Sequence, residues 1–576
     1  MTGTIIKVLN IDLTAETIEV QHREDLSRYL GGIGIAAKLF SETVNPDLDP
    51  LAPEQPVILA NGPLSTVFPV VTKTVAVFRS PLTGEWGESY AGMRLALAMR
   101  AADFHAIVIR GKAKSPLYLS VSNRGVKFKK NTALWGLSVD ETGSILRRLE
   151  PGRGHRSCIR IGPAGEKGVA FASVNVDTYR HFGRLGLGAV FGSKNLKAVV
   201  VYGDKNETIP DFKAYNKVYK EIYDRVVNTD IMYKYHGIGT AINVNVLSTL
   251  GGLPTRNLQA ATFEHANKIS GEAFAEQSLI RKLACAGCPV GCIHIGLRRR
   301  EFGPGYEYQS KSLAYDHELI FALGSFLGMS SQEKVYDLID MVEDLGMDAI
   351  SAGVALGWVT EALQRGIVDE ATLGTAVAFD DTKGYLEVLK QLVKQPNDFY
   401  RLLAKGTEAA AKQLGGLDYA ITLGKTEIPG YHTGHANLLG LSVGARHSHL
   451  DNAGYSVDQK NKEQDDPEKM VSALLAEEKW RNVLNSLCIC LFAREIYNHE
   501  TVIAALGSLG IVVNEEELTA LGEEIFKIKQ DVRTKLGFKP EELRFADRFF
   551  ETSSLTGKLN RQTMDRMLAV YIESTK

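Results

Sequence analysis

Near residue 207 the hydrophobic periodicity of this chain changes, and that change limits the architectures open to it. Before it, short β-rich runs alternate with glycine turns. "TIIKVLNIDLTAETIEVQ" reads as a hairpin around Thr14-Ala15-Glu16, and "AIVIRGKAKSPLYLSVSN" and "LKAVVVYG" read as further strands. After "YGDKNETIPDF", apolar residues recur mostly at helical spacing, as in "EKVYDLIDMVEDLGMDAISAGVALGWVTEALQRG" and "LTALGEEIFKIKQDVRTKLG". The pattern predicts an α+β chain, with a β-rich N-terminal domain over residues 1–207 and two mainly α-helical domains behind it. Glycine and proline interrupt the helical period in "AAAKQLGGLDYAITLGKTEIPGYHTGH", which divides the helical part into 208–415 and 416–576. At 576 residues the chain is too long for one small core, so several domains are expected.

A formal net charge of −2 and a pI of 6.7 leave no basic field to hold nucleic acid or an anionic membrane. The start, "MTGTIIKVLNIDLTAETIEV", lacks a basic region ahead of an apolar core, and no run of roughly 18 apolar residues follows anywhere. A cytoplasmic protein without a membrane span is expected. "QKNKEQDDPEK" (459–469) and "RRRE" (298–301) read as solvated surface, although the second has the charge to touch a redox partner.

Six cysteines are too few for a disulfide scaffold, yet three of them fall within eight positions of "LACAGCPVGC". Cys285, Cys288 and Cys292 form C-x2-C-x3-C, and Pro289 suits the opening of a helical turn that would put three thiolates on one side. A structural zinc site more usually shows paired C-x2-C or Cys/His motifs, whereas a [4Fe–4S] cluster takes a fourth thiolate from far along the chain. Three small buried apolar residues are the plain alternative. Cys158, Cys488 and Cys490 remain as fourth ligands. The last two lie in "LNSLCICLFAR", sharing a face in a strand and diverging by about 200° on a helix.

"GRLGLGAVFGSKN" places its third glycine wrongly for a dinucleotide fingerprint and lacks Gly-Lys-Ser/Thr, so neither a Rossmann site nor a P-loop is supported. A glycine loop carrying Arg184 suits a pyrophosphate-like group, with close backbone approach at Gly186 and a bidentate donor from the arginine.

Taken together these stretches resemble the tungsten-containing aldehyde ferredoxin oxidoreductase family. The resemblance rests on "NGPLSTVFPVVTKTVAVFRSPLTGEWGESYAG", "IRIGPAGEKGVAFASVNVDTYRHFGRLGLGAVFGSKNLKAV", "CAGCPVGC" and "ALGSFLGM…EDLGMDAIS", in the family's order and over essentially the whole chain. It implies a β-rich pterin-binding domain, a tungsten or molybdenum atom held by two pterins bridged through Mg2+, and a neighbouring [4Fe–4S] cluster. By resemblance Lys73, in place of a family arginine, and Arg184 face the pterin phosphates, with Ser89, Tyr90, Ala91, Gly92 and Gly186 nearby. The family's Asp-x-x-Gly-Leu-Asp motif reads "EDLGMD" here, matching Glu343, Gly346, Met347 and Asp348. Its second copy reads "NSLCIC", with Asn485 for the acid, Ile489 beside the ligand, Cys490 on the ligand cysteine and Cys488 on the usual glycine.

The family's catalytic glutamate stands a fixed interval before an "ALG" segment, which selects Glu318 in "KSLAYDHELIFALGS" over the decoy Gln309 in "GYEYQS". His317 and Asp316 would bear on its pKa. The family histidine maps to "VGARHSHLDNAGYSVD", as His449 first and His447 second. Where some members bridge subunits through a Glu-x-x-His metal site, this chain has Asp337 and Asp340, so an oligomer without a histidine-ligated iron is expected. The pair would hold a weak cation or form a solvated helix face.

The implied activity is oxidation of an aldehyde to its carboxylic acid, with electrons leaving through Cys285, Cys288, Cys292 and Cys490 to ferredoxin or an iron–sulfur subunit. Two alternatives stand beside it: the tungsten subunit of a benzoyl-CoA-reductase-like complex, and a cluster-only electron-transfer protein. Neither the particular aldehyde nor tungsten against molybdenum is written in the sequence.

Overall fold

The computed structural model describes residues 5–152, 154–206, 208–305, 307–460 and 466–576. Its first six strands, β1 (Ile6–Asp12), β2 (Thr17–Arg23), β3 (Val57–Ala60), β4 (Thr74–Arg79), β5 (Trp86–Ala91) and β6 (Ala106–Arg110), form one sheet in the order β2-β1-β6-β3-β4-β5. The hairpin between β1 and β2 turns where the sequence places it. Asp12 Oδ1 accepts the backbone N–H groups of Thr14 and Ala15, at 2.8 and 3.0 Å, and Glu16 takes a left-handed φ of 53°. In β3 all four residues of "VILA" are buried, as suits a strand covered on both faces.

A second sheet contains β7 (Leu117–Ser122), β8 (Gly125–Lys130), β9 (His155–Arg160), β10 (Val174–Val176), β11 (Arg180–Phe182) and β12 (Leu196–Gly203), ordered β11-β10-β9-β12-β7-β8. One apolar core joins the sheets: Leu9, Leu59, Phe78 and Ile107 of the first pack with Leu119, Ile159, Val174 and Val199 of the second.

Beyond residue 203 helices dominate, as the change of periodicity predicts. Those that carry the argument are α1 (His317–Leu323), α2 (Gln332–Leu345), α3 (Ala349–Gln364), α4 (His435–Val443), α5 (His449–Asn452) and α6 (Pro467–Ser486). The long period over "EKVYDL…LQRG" is split into α2 and α3, because Gly346 turns left-handed at φ 74° and Asp348 starts a new helix. Its carboxylate accepts the N–H groups of Ile350 and Ser351.

A three-stranded sheet of β13 (Leu279–Leu283), β14 (Ile293–Gly303) and β15 (Glu307–Tyr315) interrupts the helical part, and periodicity did not reveal it. The cysteine triplet occupies the loop between β13 and β14, so the helical turn expected at Pro289 is absent. Gly287 at φ 76° and Gly291 at φ 61° adopt the left-handed conformation that a right-handed turn excludes. Part of "RRRE" is also committed internally. Arg298 Nε donates to Asp337 at 2.6 Å and Nη1 to Asp340 at 2.9 Å, and Lys311 reaches Asp340 and Asp344 at 2.5 and 2.9 Å. Asp337 and Asp340 are therefore ion-paired with cationic side chains, rather than forming a bare helix face or a cation site. Residues 461–465 of the expected 459–469 loop lie outside the described residues, as does Tyr306 of the decoy motif.

The chain forms two compact units. The first contains Met1–Met232, Ala284–Val290 and Glu478–Phe538, and the second Tyr233–Leu283, Gly291–Glu477 and Lys539–Lys576. Among the described residues no helix is long and apolar enough to cross a membrane.

Candidate functional site

The first unit gathers most of the candidate cofactor residues. Ile489 bridges to Val71, Cys490 N–H donates to Val70 at 3.0 Å, and Lys73 N–H donates to the Cys488 carbonyl at 3.2 Å. These contacts draw the end of "NSLCIC" against the segment that leads into β4. The "SYAG" segment expected as a turn is instead the end of β5 with Gly92 behind it; a Cβ on Gly92 would stand 2.6 Å from Cys285 Sγ and 3.6 Å from Lys73 Nζ, so the end of β5, the triplet loop and Lys73 meet at a point where only glycine fits. Ala286 N–H donates to the Met93 carbonyl at 3.0 Å and holds the loop there.

The two C-terminal cysteines differ. Cys488 is fully buried at φ 60°, packed against Gly32, and burial pushes its thiol up to about 12. A thiol so desolvated stays protonated and inert. Cys490 is half-buried. In the triplet loop Val290 N–H points at Cys288 Sγ, 3.4 Å away, which favours a sulfur carrying negative charge. Cys292 follows in the second unit. Among the described residues no three His, Cys, Asp or Glu side chains are drawn together closely enough to hold a metal ion.

Arg184 is half-buried before two left-handed residues, Leu185 at φ 70° and Gly186 at φ 86°, and Ser80 Oγ donates to the Leu185 carbonyl at 2.8 Å. The close approach that Gly186 permits is to the chain itself: a Cβ there would lie 2.0 Å from the Ala170 carbonyl oxygen. Asn485, 5% exposed, lies at the end of α6, where its carbonyl accepts Cys488 N–H at 3.2 Å. The other aminopyrimidine candidates belong to the second unit. Glu343 is half-buried near the end of α2, Gly346 is its left-handed cap, Met347 is buried, and Asp348 caps α3.

In the second unit Glu318 and His449, 131 positions apart in sequence, come together. Glu318 lies in the first turn of α1 and His449 opens α5, where Ser448 and Asp451 form a capping box. Glu318 Oε1 stands 3.8 Å from His449 Nδ1, beyond hydrogen-bond length, while Oε2 accepts Gly430 N–H at 3.0 Å. The rings of Tyr431 and Tyr455 lie 4.7 and 5.8 Å from that of His449. Burial drives the Tyr431 phenol well above its ordinary value, with the Glu318 charge adding to it, so it remains a protonated donor.

The alternatives to this pair sit elsewhere. His447 is buried at φ 51°, directs Nδ1 to the Leu441 carbonyl at 3.1 Å, and packs on Gly424. Gln309 is exposed on β15. The expected influence of His317 charge on Glu318 does not operate. Burial lowers His317 to about 4, leaving it neutral, and its Nε2 meets the Gly430 carbonyl at 3.1 Å. Asp316 caps α1 by accepting Leu319 N–H. Sequence reasoning missed the Pro429–Tyr431 strap; the glycine of "IPGYH" was its one visible sign.

The fold and these residues define an α+β protein with a thiol-lined region in one unit and an acid–imidazole pair in the other. The family profile "Aldehyde ferredoxin oxidoreductase, N-terminal domain" matches residues 8–203, and "Aldehyde ferredoxin oxidoreductase, domains 2 & 3" matches 217–575. The chain belongs to this family of oxidoreductases. It is 30% identical over 569 residues to the tungsten-containing aldehyde ferredoxin oxidoreductase of Pyrococcus furiosus, covering 94% of this chain and 90% of that one. It is 32% identical over 435 residues to an aliphatic sulfonate oxidoreductase, WOR-like subunit, of the same organism, covering 72% and 68%. Among solved structures, the active site complex BamBC of benzoyl coenzyme A reductase with 1,5-dienoyl-CoA has a chain of the same fold. The TM-score is 0.80 at 20% identity, over 98% of this chain and 97% of that one.

Proposed function

We propose that this chain is a cytoplasmic tungsten (or molybdenum) bis-pterin oxidoreductase that converts aldehydes to carboxylic acids. Its electrons would pass through a [4Fe–4S] cluster to ferredoxin or an iron–sulfur partner subunit. The observation that carries the reading is the Glu318–His449 pair, set 3.8 Å apart beside the Tyr431 ring within one unit.

The residues fit the implied groups. Cys285, Cys288, Cys292 and Cys490 would hold the cluster; the Val290 N–H aimed at Cys288 Sγ supports that assignment. Lys73, Arg184, Gly186 and the end of β5, Ser89, Tyr90, Ala91 and the following Gly92, would receive the pterin phosphates and their Mg2+. Glu343, Gly346, Met347, Asp348, Asn485 and Ile489 would line the pterin rings. When bound, the pterin-held metal supplies a two-electron acceptor and the cluster a one-electron path outward.

Aldehyde and water lose two electrons and two protons on becoming a carboxylic acid. Glu318 would take a proton through Oε1, since Oε2 accepts Gly430 N–H. His449 would donate to the oxygen that gains charge. Tyr431 would stay protonated beside this pair. The fold likeness over 98% of the chain supports a second reading, the tungsten subunit of a benzoyl-CoA-reductase-like complex.

Anaerobic isolation with elemental analysis, pterin detection and dye-linked assays tests both. The first reading expects tungsten or molybdenum, pterin and aldehyde oxidation. Ring reduction of an aromatic acyl-CoA with no aldehyde turnover would replace it by the second. About four irons per chain without tungsten or molybdenum would leave a cluster-only electron carrier.

A further inference from the structure

Gly430 is gripped on both sides of its backbone by two consecutive residues. Its N–H donates to Glu318 Oε2 at 3.0 Å, and its carbonyl accepts from His317 Nε2 at 3.1 Å. A carbonyl only accepts, so Nε2 carries the imidazole hydrogen and the tautomer is fixed. His317 is 0% exposed, and the ring of Tyr431 lies 5.0 Å from it and 4.7 Å from His449. Any side chain at 430 would collide, since a Cβ there would stand 2.7 Å from His317 Nε2 and 2.8 Å from Phe321 Cγ. The strap that carries Tyr431 is thus seated against α1 by one imidazole and one carboxylate.

We propose that His317 is a positioning residue: by holding the Gly430 carbonyl it aims the Gly430 N–H at one oxygen of Glu318 and leaves the other turned to His449. The inference rests on the reading of Glu318 as the proton-handling group. An N–H bond to a carboxylate favours its charged form, so losing the aim raises the Glu318 pKa as well as freeing the side chain. Misplacement of this kind costs catalysis far more than binding.

The test compares His317→Phe, which fills the space without a donor, with His317→Gln, whose amide can replace Nε2–H. Phe should lower kcat roughly 10- to 100-fold with KM little changed and move the acidic limb of the kcat profile to higher pH. Gln should restore most of both. Crystal structures of the cofactor-free variants give a readout independent of turnover, with Glu318 detached from Gly430 in Phe and attached in Gln. Parent-like kcat and pH profile in Phe would overturn the proposal. So would equal losses in Phe and Gln with an unmoved acidic limb, which mark a packing role only. If Glu318 detaches in Phe while Glu318→Gln keeps parent turnover, the positioning stands and the reading of Glu318 falls.

Discussion

Cys488 and Gly430 stand at tight corners in different units and resolve them in opposite ways. At 488 the backbone is left-handed, φ 60°, the conformation glycine adopts most cheaply, yet the chain places a thiol there and buries it. At 430 the backbone carries no such demand, but the neighbours do: His317 and Phe321 leave no room for a Cβ. The first corner tolerates a substitution where the family pattern has glycine, because Cys488 Sγ points into packed interior and Cys490 remains half-exposed beside it. The second tolerates none, because both of its polar groups are engaged by residues next to the proposed reacting atoms. Strictness thus follows the chemistry nearby more closely than the backbone angle.

Three experiments test that contrast. Removing His449 should reach the chemistry, and His449→Ala is expected to lower kcat roughly 100-fold or more with the fold intact. His447→Ala should spare kcat and instead lower stability by about 1–3 kcal/mol, as the Leu441 carbonyl loses its partner. Kinetics paired with thermal unfolding separates the two, and a reversed pattern would move the site to His447.

In the other unit, Cys490→Ser should abolish cluster iron, whereas Cys488→Gly should keep it and alter stability by no more than about 1 kcal/mol. Iron analysis of both variants decides; retained iron in Cys490→Ser would break the assignment.

An effect confined to the pH dependence of stability is expected at Asp458. This buried carboxyl accepts from Thr433 Oγ1 and from the N–H groups of Ala436 and Asn437 at the start of α4, and burial raises it from 3.8 to about 6. Its folded value lies above the unfolded one, so the native state holds the proton more tightly. Stability gains as pH falls through about 6 and levels off near 3.8, by on the order of 3 kcal/mol in all. Asp458→Asn should flatten that slope in a series of denaturant melts between pH 4 and pH 7. A slope equal to the parent's would exclude Asp458 as its source.

Much of the fold was legible because it rests on local signals. Alternation gave the β1–β2 hairpin with its turn, and β12 spans the whole of "LKAVVVYG". The β13–β15 sheet escaped because its strands bracket a cysteine loop whose spacing imitates a helix until Gly287 and Gly291 are seen to turn left-handed. Periodicity over 333–366 was correct in kind but ran through a boundary that Gly346 and Asp348 impose by capping chemistry. Glu318 and His449 were reachable only by resemblance, since no local pattern joins residues 131 apart. The strap behind them was not reachable, because a single glycine in "IPGYH" says nothing of which carboxylate its N–H will meet. Glycines of the Arg184 loop carried the opposite lesson: the closeness they signal at Gly186 is to Ala170.

The most direct test of the account is aldehyde oxidation by Glu318→Gln, measured against the parent on anaerobically isolated protein with matched tungsten or molybdenum, iron and pterin content. Amide for carboxylate keeps the shape and the contact with Gly430 N–H while removing the proton acceptor. The account predicts a fall in kcat of at least roughly 100-fold at unchanged metal content. Turnover within a few-fold of the parent would contradict it.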